Sequence, residues 1–478
     1  MGWRDATAPV RMQRVALVCP RAVLRDMLVQ VADAGVVEID HTTASGSSVD
    51  GPPSRAGSTN PCLCPASPDL GDLESAGRDD LLAGEAELTS FADDAVVRDE
   101  VAALAGWVPA TELPALTSRL AGTGAGVVPI PSPPGVDPPT LLQPGNGLRQ
   151  SFTPLVETYG TVPYADVDPS VLAGVAYMLM FGMMFGDAGH GALLAVLGLL
   201  VRAGRPRALA RFHKVWPFIV GSGLAAIVFG LLYGEFFGPT GVVPVLWLAP
   251  LDEPVTLLAV ALGAGAVFLA GAQSIGTINR WREGGWPLAL SAPSGIAGAA
   301  LLGGLGLIAL GVNGHLSWLI LAGALVMAGG VALAYIGFLA ASGGGGAGIT
   351  QASVEVFDAV MRVGANLVSF TRLAAFGLTH AALGMIVWDG TAGLWRSGGI
   401  LVAAAVVVFV VGNVLAFSLE ALVAGVQALR LEYYELFSRI FAGEGRPFRP
   451  WHIPIDRSSE PISTNSTAAF GATIGRKP

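Results

Sequence analysis

The chain has 478 residues, 52% hydrophobic and only 13% charged, with 64 glycines, a formal net charge of −9 and a mean hydropathy of +0.60. Ordinary soluble domains carry about 25% charged residues, so a wholly soluble globular chain is excluded, and the acidic balance argues against a nucleic-acid binder. Lysine occurs only at 214 and 477, neither within G-x-x-x-x-G-K-[ST], so there is no P-loop and any ATP hydrolysis that drives this chain belongs to another one.

The charge is unevenly placed. Residues 1–150 carry frequent Asp, Glu and Arg, whereas 170–440 is built of apolar runs with isolated charges. The pattern predicts a small α/β domain at 1–150 followed by an α-helical polytopic membrane domain at 171–440, with about eight transmembrane helices. Arg14–Cys19 reads as a strand, Pro20 suits the first turn of a helix reaching Ala34, and Val36–Asp40 reads as a second strand. Residues 41–78, rich in Ser, Gly, Pro and Asp, read as a flexible loop. Val101–Val108, Thr111–Leu120 and Gly124–Ile130 repeat the β-α-β-like order, so two similar halves are expected. Residues 151–170 read as a linker and 441–478 as a tail. The first apolar run, Val15–Cys19, is too short for the core of a signal peptide, so the first domain is expected to stay in the cytoplasm. Cys62 and Cys64 form a lone C-x-C without a partner pair or histidine at zinc spacing; no metal site and no cofactor are expected.

Turn and charge signals divide the membrane part into candidate spans near 171–186, 188–202, 215–238, 255–278, 291–312, 317–340, 352–388 and 398–436. The first two are short, with Gly182, Gly186 and Gly189 flanking Asp187, and read equally as one broken span. Basic residues gather in alternate loops: Arg202, Arg205, Arg207, Arg211 and Lys214 in one, Arg280 and Arg282 in another, Arg446 and Arg449 in the tail. By the positive-inside rule this places both termini in the cytoplasm. The last two spans are too long. Residues 352–388 would measure about 55 Å as one helix, against a hydrocarbon core of about 30 Å, so steep tilt or projection into water is expected.

These two spans also carry polar stripes. Glu355, Asp358, Arg362, Asn366, Ser369, Arg372 and His380 share one helical face, and Asn413, Glu420, Gln427, Arg430 and Tyr434 repeat the pattern in the last span. Glu355, Asp358, Arg362 and Glu435 sit near span ends, where charges ordinarily snorkel to the interface, and buried Asn and Ser often join helices. Arg372 lies mid-span among apolar neighbours, where an arginine costs on the order of 3 kcal/mol or more. That makes it the leading candidate for function. His380, Glu420 and Arg430 could serve a path or simply pair with one another.

Several segments, in order, resemble subunit a (subunit I in prokaryotes) of V-type and A-type rotary ATPases. They are Ala165–Pro169 leading into Phe181-Gly-Met-Met-Phe-Gly-Asp187-Ala-Gly-His190-Gly191, Tyr233-Gly-Glu235-Phe-Phe-Gly238, Asn366 through Ser369, Arg372 and His380 to Ala381, Glu420 through Gln427 and Arg430 to Glu435, and Gly443–Pro450. Gly106–Pro109 is similar to the family's linker, and the resemblance covers about 160–452. It implies a stator subunit carrying two ion half-channels against a rotating ring, with Arg372 facing the ring, Arg430 as a second arginine, and His380, Glu420, Gln427, Ser369, Asn366, Asp187 and Glu435 as half-channel groups. It further implies partners in the membrane ring, peripheral-stalk and central-stalk subunits, and a place in the cell membrane. The stripes contain His and Arg and no cage of oxygen ligands, which favours a proton over sodium as the ion without fixing it. The sequence departs from the family in one respect: the interval 41–100 is too short for the long coiled-coil arms usual there. A proton-coupled secondary transporter using Arg372 is the alternative, although inverted repeats and paired broken helices, usual in that class, are not evident. Neither G-x-S-x-G nor H-E-x-x-H occurs, which leaves an intramembrane hydrolase without a nucleophile or metal.

Overall fold

A computed structural model describes residues 8–40, 60–133, 135–143, 147–205, 213–343, 345–441 and 443–456. The chain divides into two compact units, one comprising residues 10–141 and 446–478, the other 1–9 and 142–445. Of the expected 41–78 loop, 41–59 lies outside the described residues, as do Arg207, Arg211 and the tail beyond 456.

The first unit is built on an antiparallel sheet of β1 (Met12–Pro20), β2 (Glu38–Ile39), β3 (Val96–Arg98), β4 (Val101–Pro109) and β5 (Gly126–Pro129), in the order β2-β4-β1-β5 with β3 also on β4. Each expected half is therefore a split β-α-β unit: helix Leu24–Ala34 joins β1 to β2 across β4, and helix Leu113–Ala121 joins β4 to β5 across β1. Strand alternation supplies the core face, with Val15, Leu17 and Cys19 from β1 and Ala102, Leu104 and Val108 from β4 all buried. Met27, Leu28 and Val31 meet them from the first helix, which Gly35 ends in the left-handed conformation (φ 61°).

Two features depart from the expected loop and tail. Residues 60–78 are ordered: Asp69 caps helix Leu70–Ser75 by accepting from the Gly71 N–H, and helix Asp79–Asp93 follows. Residues 446–456, expected as part of a tail, also pack in this unit. Trp451 and Ile453 are buried in its core, Trp451 N–H donates to the Val37 carbonyl at 2.8 Å, and Leu63 bridges Ile455 in parallel. Glu38 accepts from the Arg449 backbone N–H at 2.7 Å, yet burial pushes its carboxyl above the usual range.

The second unit is helical. Among the described residues, six helices are long and apolar enough to cross a membrane: His213–Tyr233, Pro254–Ser291, Ile296–Asn313, Ser317–Ala341, Gly345–Ser397 and Leu401–Ile440. Ser170–Met184 and Ala188–Arg202 are apolar but only 15 residues each, and both pack on Trp216–Tyr233. Glycine allows the close approach: a Cβ on Gly191 would stand 2.8 Å from the Gly223 carbonyl oxygen, and one on Gly223 would stand 2.8 Å from that of Gly191.

Three boundaries differ from the sequence expectation. Residues expected as linker contain helix Gly147–Tyr159. The fourth span extends to Ser291 with a break at Gly285 (φ 69°), two residues before Pro287, which has no N–H to donate, so Arg280 and Arg282 are helical and not in a loop. Arg280 pairs with Glu283 at 2.5 Å. The long seventh span is two helices, Gly345–Ser369 and Thr371–Ser397, meeting at the buried Phe370.

The Ala165–Pro169 segment is tied down on both sides. Val167 N–H donates to Asn279 Oδ1 at 3.1 Å while Asn279 Nδ2 donates to the Ile440 carbonyl at 3.1 Å, and Asp168 receives Arg149 at 2.7 Å and caps Ser170. Asp166 is fully buried. Burial, then the neighbouring Glu283 carboxyl, pushes its pKa up to about 7, against the opposing pull of Arg280 and Arg282. An unfolded aspartate ionises near 4, so between about pH 4 and 7 the folded chain holds a proton that the unfolded chain has released. Stability is therefore expected to fall as pH rises through this window, by a few kcal/mol in total, and to level off above it. Thermal midpoints of the detergent-solubilised chain from pH 5 to 8 check this. Asp166→Asn should flatten the profile; an equally steep profile in the variant would assign the slope to other groups.

Candidate functional site

Two polar clusters lie along the helices that meet at Phe370, the first buried and the second largely half-buried. The first centres on His380, 4% exposed, on the Thr371–Ser397 helix. Its Nδ1 is hydrogen-bonded to Glu420 Oε2 of the Leu401–Leu431 helix, and its Nε2 stands 3.9 Å from Glu235 Oε2. Glu235 follows the Trp216–Tyr233 helix, where Gly234 turns the chain with φ 75°. Asp187 fixes the facing break between the two short helices. Its carboxylate accepts from the backbone N–H groups of His190 (2.8 Å), Phe237 (3.0 Å) and Gly238 (2.7 Å), so it caps one helix and clamps the turn after another. His190 projects from that capped turn, its ring centroid 5.7 Å from that of His380 and packed among Phe185, Phe237 and Phe417. Neither ring nitrogen of His190 makes a hydrogen bond, and Glu420 Oε1 is likewise buried without one.

The second cluster centres on Arg372. One guanidinium nitrogen, Nη2, donates to Ser369 Oγ at 3.4 Å, and Nη1 is buried without a hydrogen bond. Ser369 Oγ in turn donates to Glu435 Oε1, and Arg430 lies close enough to act electrostatically on both Arg372 and Glu435. Gln427, one turn before Arg430, holds its Oε1 buried and unpartnered. Glu432 and Glu435 lie on a π-helical turn, Glu432–Phe437, and both are buried. Such turns are rare and recur at functional positions.

The sequence-expected residues thus separate into groups. Asp187, His380 and Glu420 come together; Ser369, Arg372 and Glu435 come together beside Gln427 and Arg430. Asn366 belongs to neither cluster: with its amide turned so that the oxygen faces Arg439, it accepts from Arg439 Nη2 at 3.2 Å and donates to the Arg362 carbonyl at 3.1 Å. Asp358 and Arg362 form an exposed pair one helical turn apart. The expectation that Glu435 snorkels at a span end does not hold, because it is only 7% exposed and bonded to Ser369. Glu235, His190 and Arg439 were not singled out as site residues. The signal for the first two was present, as an acid directly ending an apolar run and a histidine three residues after Asp187; nothing local marks Arg439.

A helical unit with several apolar spans, whose ionisable groups converge from separate helices, defines a multi-pass membrane protein with polar clusters inside it; such groups pair with one another or line polar paths. Residues 93–242 match the V-type ATPase 116kDa subunit family. The chain is 27% identical over 381 residues to the A-type ATP synthase subunit I of Aeropyrum pernix, covering 68% of this chain and 52% of that protein. It is 25% identical over 400 residues to its namesake in Pyrococcus horikoshii, covering 80% and 59%. It is 38% identical over 165 residues to the V-type ATP synthase subunit I 2 of Treponema pallidum, covering 32% and 35%. Over these residues the chain is similar to this subunit family of V- and A-type ATPases, and it spans about half the length of the first two relatives.

Proposed function

We propose that this chain is the stator subunit of a V/A-type rotary ATPase, forming two proton half-channels against a rotating membrane ring and coupling proton transfer to ATP hydrolysis or synthesis. In this reading all eight apolar helical segments cross or enter the cell membrane, and both termini are cytoplasmic, in keeping with Arg202, Arg205 and Lys214 flanking one connection. Peripheral-stalk and central-stalk subunits would contact the cytoplasmic unit and the ring.

The observation that carries the reading is the place of Arg372. It is bonded to Ser369, which in turn is bonded to Glu435, it lies about two helical turns before the His380 that meets Glu420, and it keeps a buried guanidinium nitrogen unbonded. A carboxyl arriving from a ring through lipid is protonated, because desolvation disfavours its charged form. The guanidinium favours the ionised form, so the proton leaves into one cluster, and the next carboxyl is reloaded from the other. Arginine stays charged throughout, which also bars protons from passing straight between the clusters.

The test is ATP-driven acidification of membrane vesicles carrying the assembled complex, wild type against Arg372→Ala. Acidification is expected to vanish in the variant while a native gel still shows the complex. Undiminished acidification would leave Arg372 a structural residue and remove the reading.

A further inference from the structure

We propose that Asp187, His190 and His380 form a binding site for a divalent transition-metal ion of the Zn2+ class, whose occupancy closes the proton path. The closing of the path rests on the function proposed above; the binding does not.

One ligand atom from each residue falls within 4.8 Å of the other two, and all three residues are buried. The nitrogens of His190 supply the independent sign of a ligand. The residue is 1% exposed and both ring nitrogens are buried without a hydrogen bond of acceptable geometry; the polar groups beside them are Asp187 Oδ1, 3.8 Å from Nδ1, and the Asn413 side chain. A buried polar atom left unpaired costs about 1–3 kcal/mol, and the aromatic wall of Phe185, Phe237 and Phe417 offers nothing to satisfy one.

The surroundings are those a metal ligand needs. Glu420 holds His380 Nδ1, which leaves Nε2 to carry the free lone pair; a carboxylate behind a histidine is the usual device that fixes its tautomer and raises its basicity. Three backbone N–H groups orient the Asp187 carboxylate, which offers about four acceptor positions and so keeps one for an ion. Glu235 Oε2, 3.9 Å from His380 Nε2, stands ready as a fourth ligand. Two imidazoles with one or two carboxylates suit Zn2+, Co2+, Ni2+ or Cu2+ and not Mg2+ or Ca2+, which prefer oxygen alone. Binding forms the metal–nitrogen and metal–oxygen bonds and releases any proton the ligands carried, without electron transfer. Once His380 is ligated, its Nε2 can no longer accept or release a proton, and the path stops there.

The full chain, reconstituted in nanodiscs, is titrated with Co2+ as a spectroscopic stand-in. One saturable Co2+ per chain is expected, with the intense visible bands of low coordination, displaced by Zn2+. His190→Gln and His380→Gln should each weaken it at least about ten-fold. His190→Cys, made with Cys62→Ser and Cys64→Ser, should restore binding and add a thiolate-to-cobalt charge-transfer band, a signature no purely structural role of His190 would create. Absence of saturable binding in the wild type, or binding unchanged in both glutamine variants, overturns the site. In vesicles carrying the assembled complex, Zn2+ should inhibit acidification in the wild type and less in His190→Gln. An occupied site without inhibition overturns the closing step, whereas failure of the proposed function itself is read separately from Arg372→Ala.

Discussion

Arg372→Lys is expected to remove ATP-driven acidification almost as completely as Arg372→Ala, to less than about a tenth of the wild-type rate, which corresponds to about 1.4 kcal/mol or more in the limiting step. The position is rigidly held: Phe370 is fully buried, and Leu373 and Ala374 pin the first turn of the following helix. From there the guanidinium reaches Ser369 with one nitrogen and keeps a second nitrogen free. A planar fork can hold Ser369 and receive a carboxylate at the same time, in fixed geometry, whereas an ammonium group offers a single swivelling point of charge. Burial also threatens the two cations differently, because desolvation strips the proton from a lysine far more readily than from an arginine. A neutral amine at this position would no longer bar protons from crossing between the clusters. Vesicles carrying Arg372→Lys should therefore also lose an imposed pH gradient faster than wild type. Both readings come from one dye-quenching experiment, with assembly checked on a native gel. Wild-type pumping in the lysine variant would show that charge alone suffices and that the fork has no role.

What the sequence made legible follows from the range of the signals. The stripe from Glu355 to His380 was readable as a repeat at helical spacing, but the structure divides it at Phe370, leaves Asp358 and Arg362 exposed and puts Arg372 and His380 in separate clusters; Arg372 stood out because an arginine in an apolar run has a large cost. Pairings between helices were not readable. Glu420 and His380 are 40 residues apart, and no periodicity tells which acid meets which histidine. The break at Phe370 was hidden because Ser369, Phe370 and Thr371 contain neither Gly nor Pro, whereas the break at Asp187 was flagged by three glycines. The charged run Arg280, Arg282 and Glu283, followed by Gly285 and Pro287, suited a loop after 278 and masked how far the helix runs. Composition was misleading for 60–78: its Ser, Gly, Pro and Asp content suits a loop, and its order comes from Leu63 being held by Pro454 and Asp456, from the far end of the chain. β2, only two residues long, owes its pairing to β4 more than to its own sequence.

That long-range return makes Trp451→Ala the largest expected effect on stability. Trp451 lies 4.5 Å, centroid to centroid, from Phe91, donates its indole N–H to Glu87 at 3.1 Å, and bonds its backbone to Val37. Removing a buried tryptophan costs about 3–5 kcal/mol, part as lost transfer energy and part as the cavity left behind. The loss should fall on the first unit, because Trp451 packs with residues of β1, β4 and the Leu24–Ala34 helix in one core. Hydrogen exchange of the full chain reads this directly. Amides of β1 and β4 are expected to lose protection by about 100-fold or more, at about 1.4 kcal/mol per ten-fold, while the helices of the second unit exchange as before. Arg78→Ala supplies the contrast. It deletes the bonds to Asp80 and Asp456, but the side chain is 37% exposed and solvent screens ion pairs of that kind, so protection should change by less than about ten-fold. If Trp451→Ala left β1 and β4 as protected as in the wild type, residues 446–456 would be a dispensable strap on the surface and not part of the core that closes the sheet.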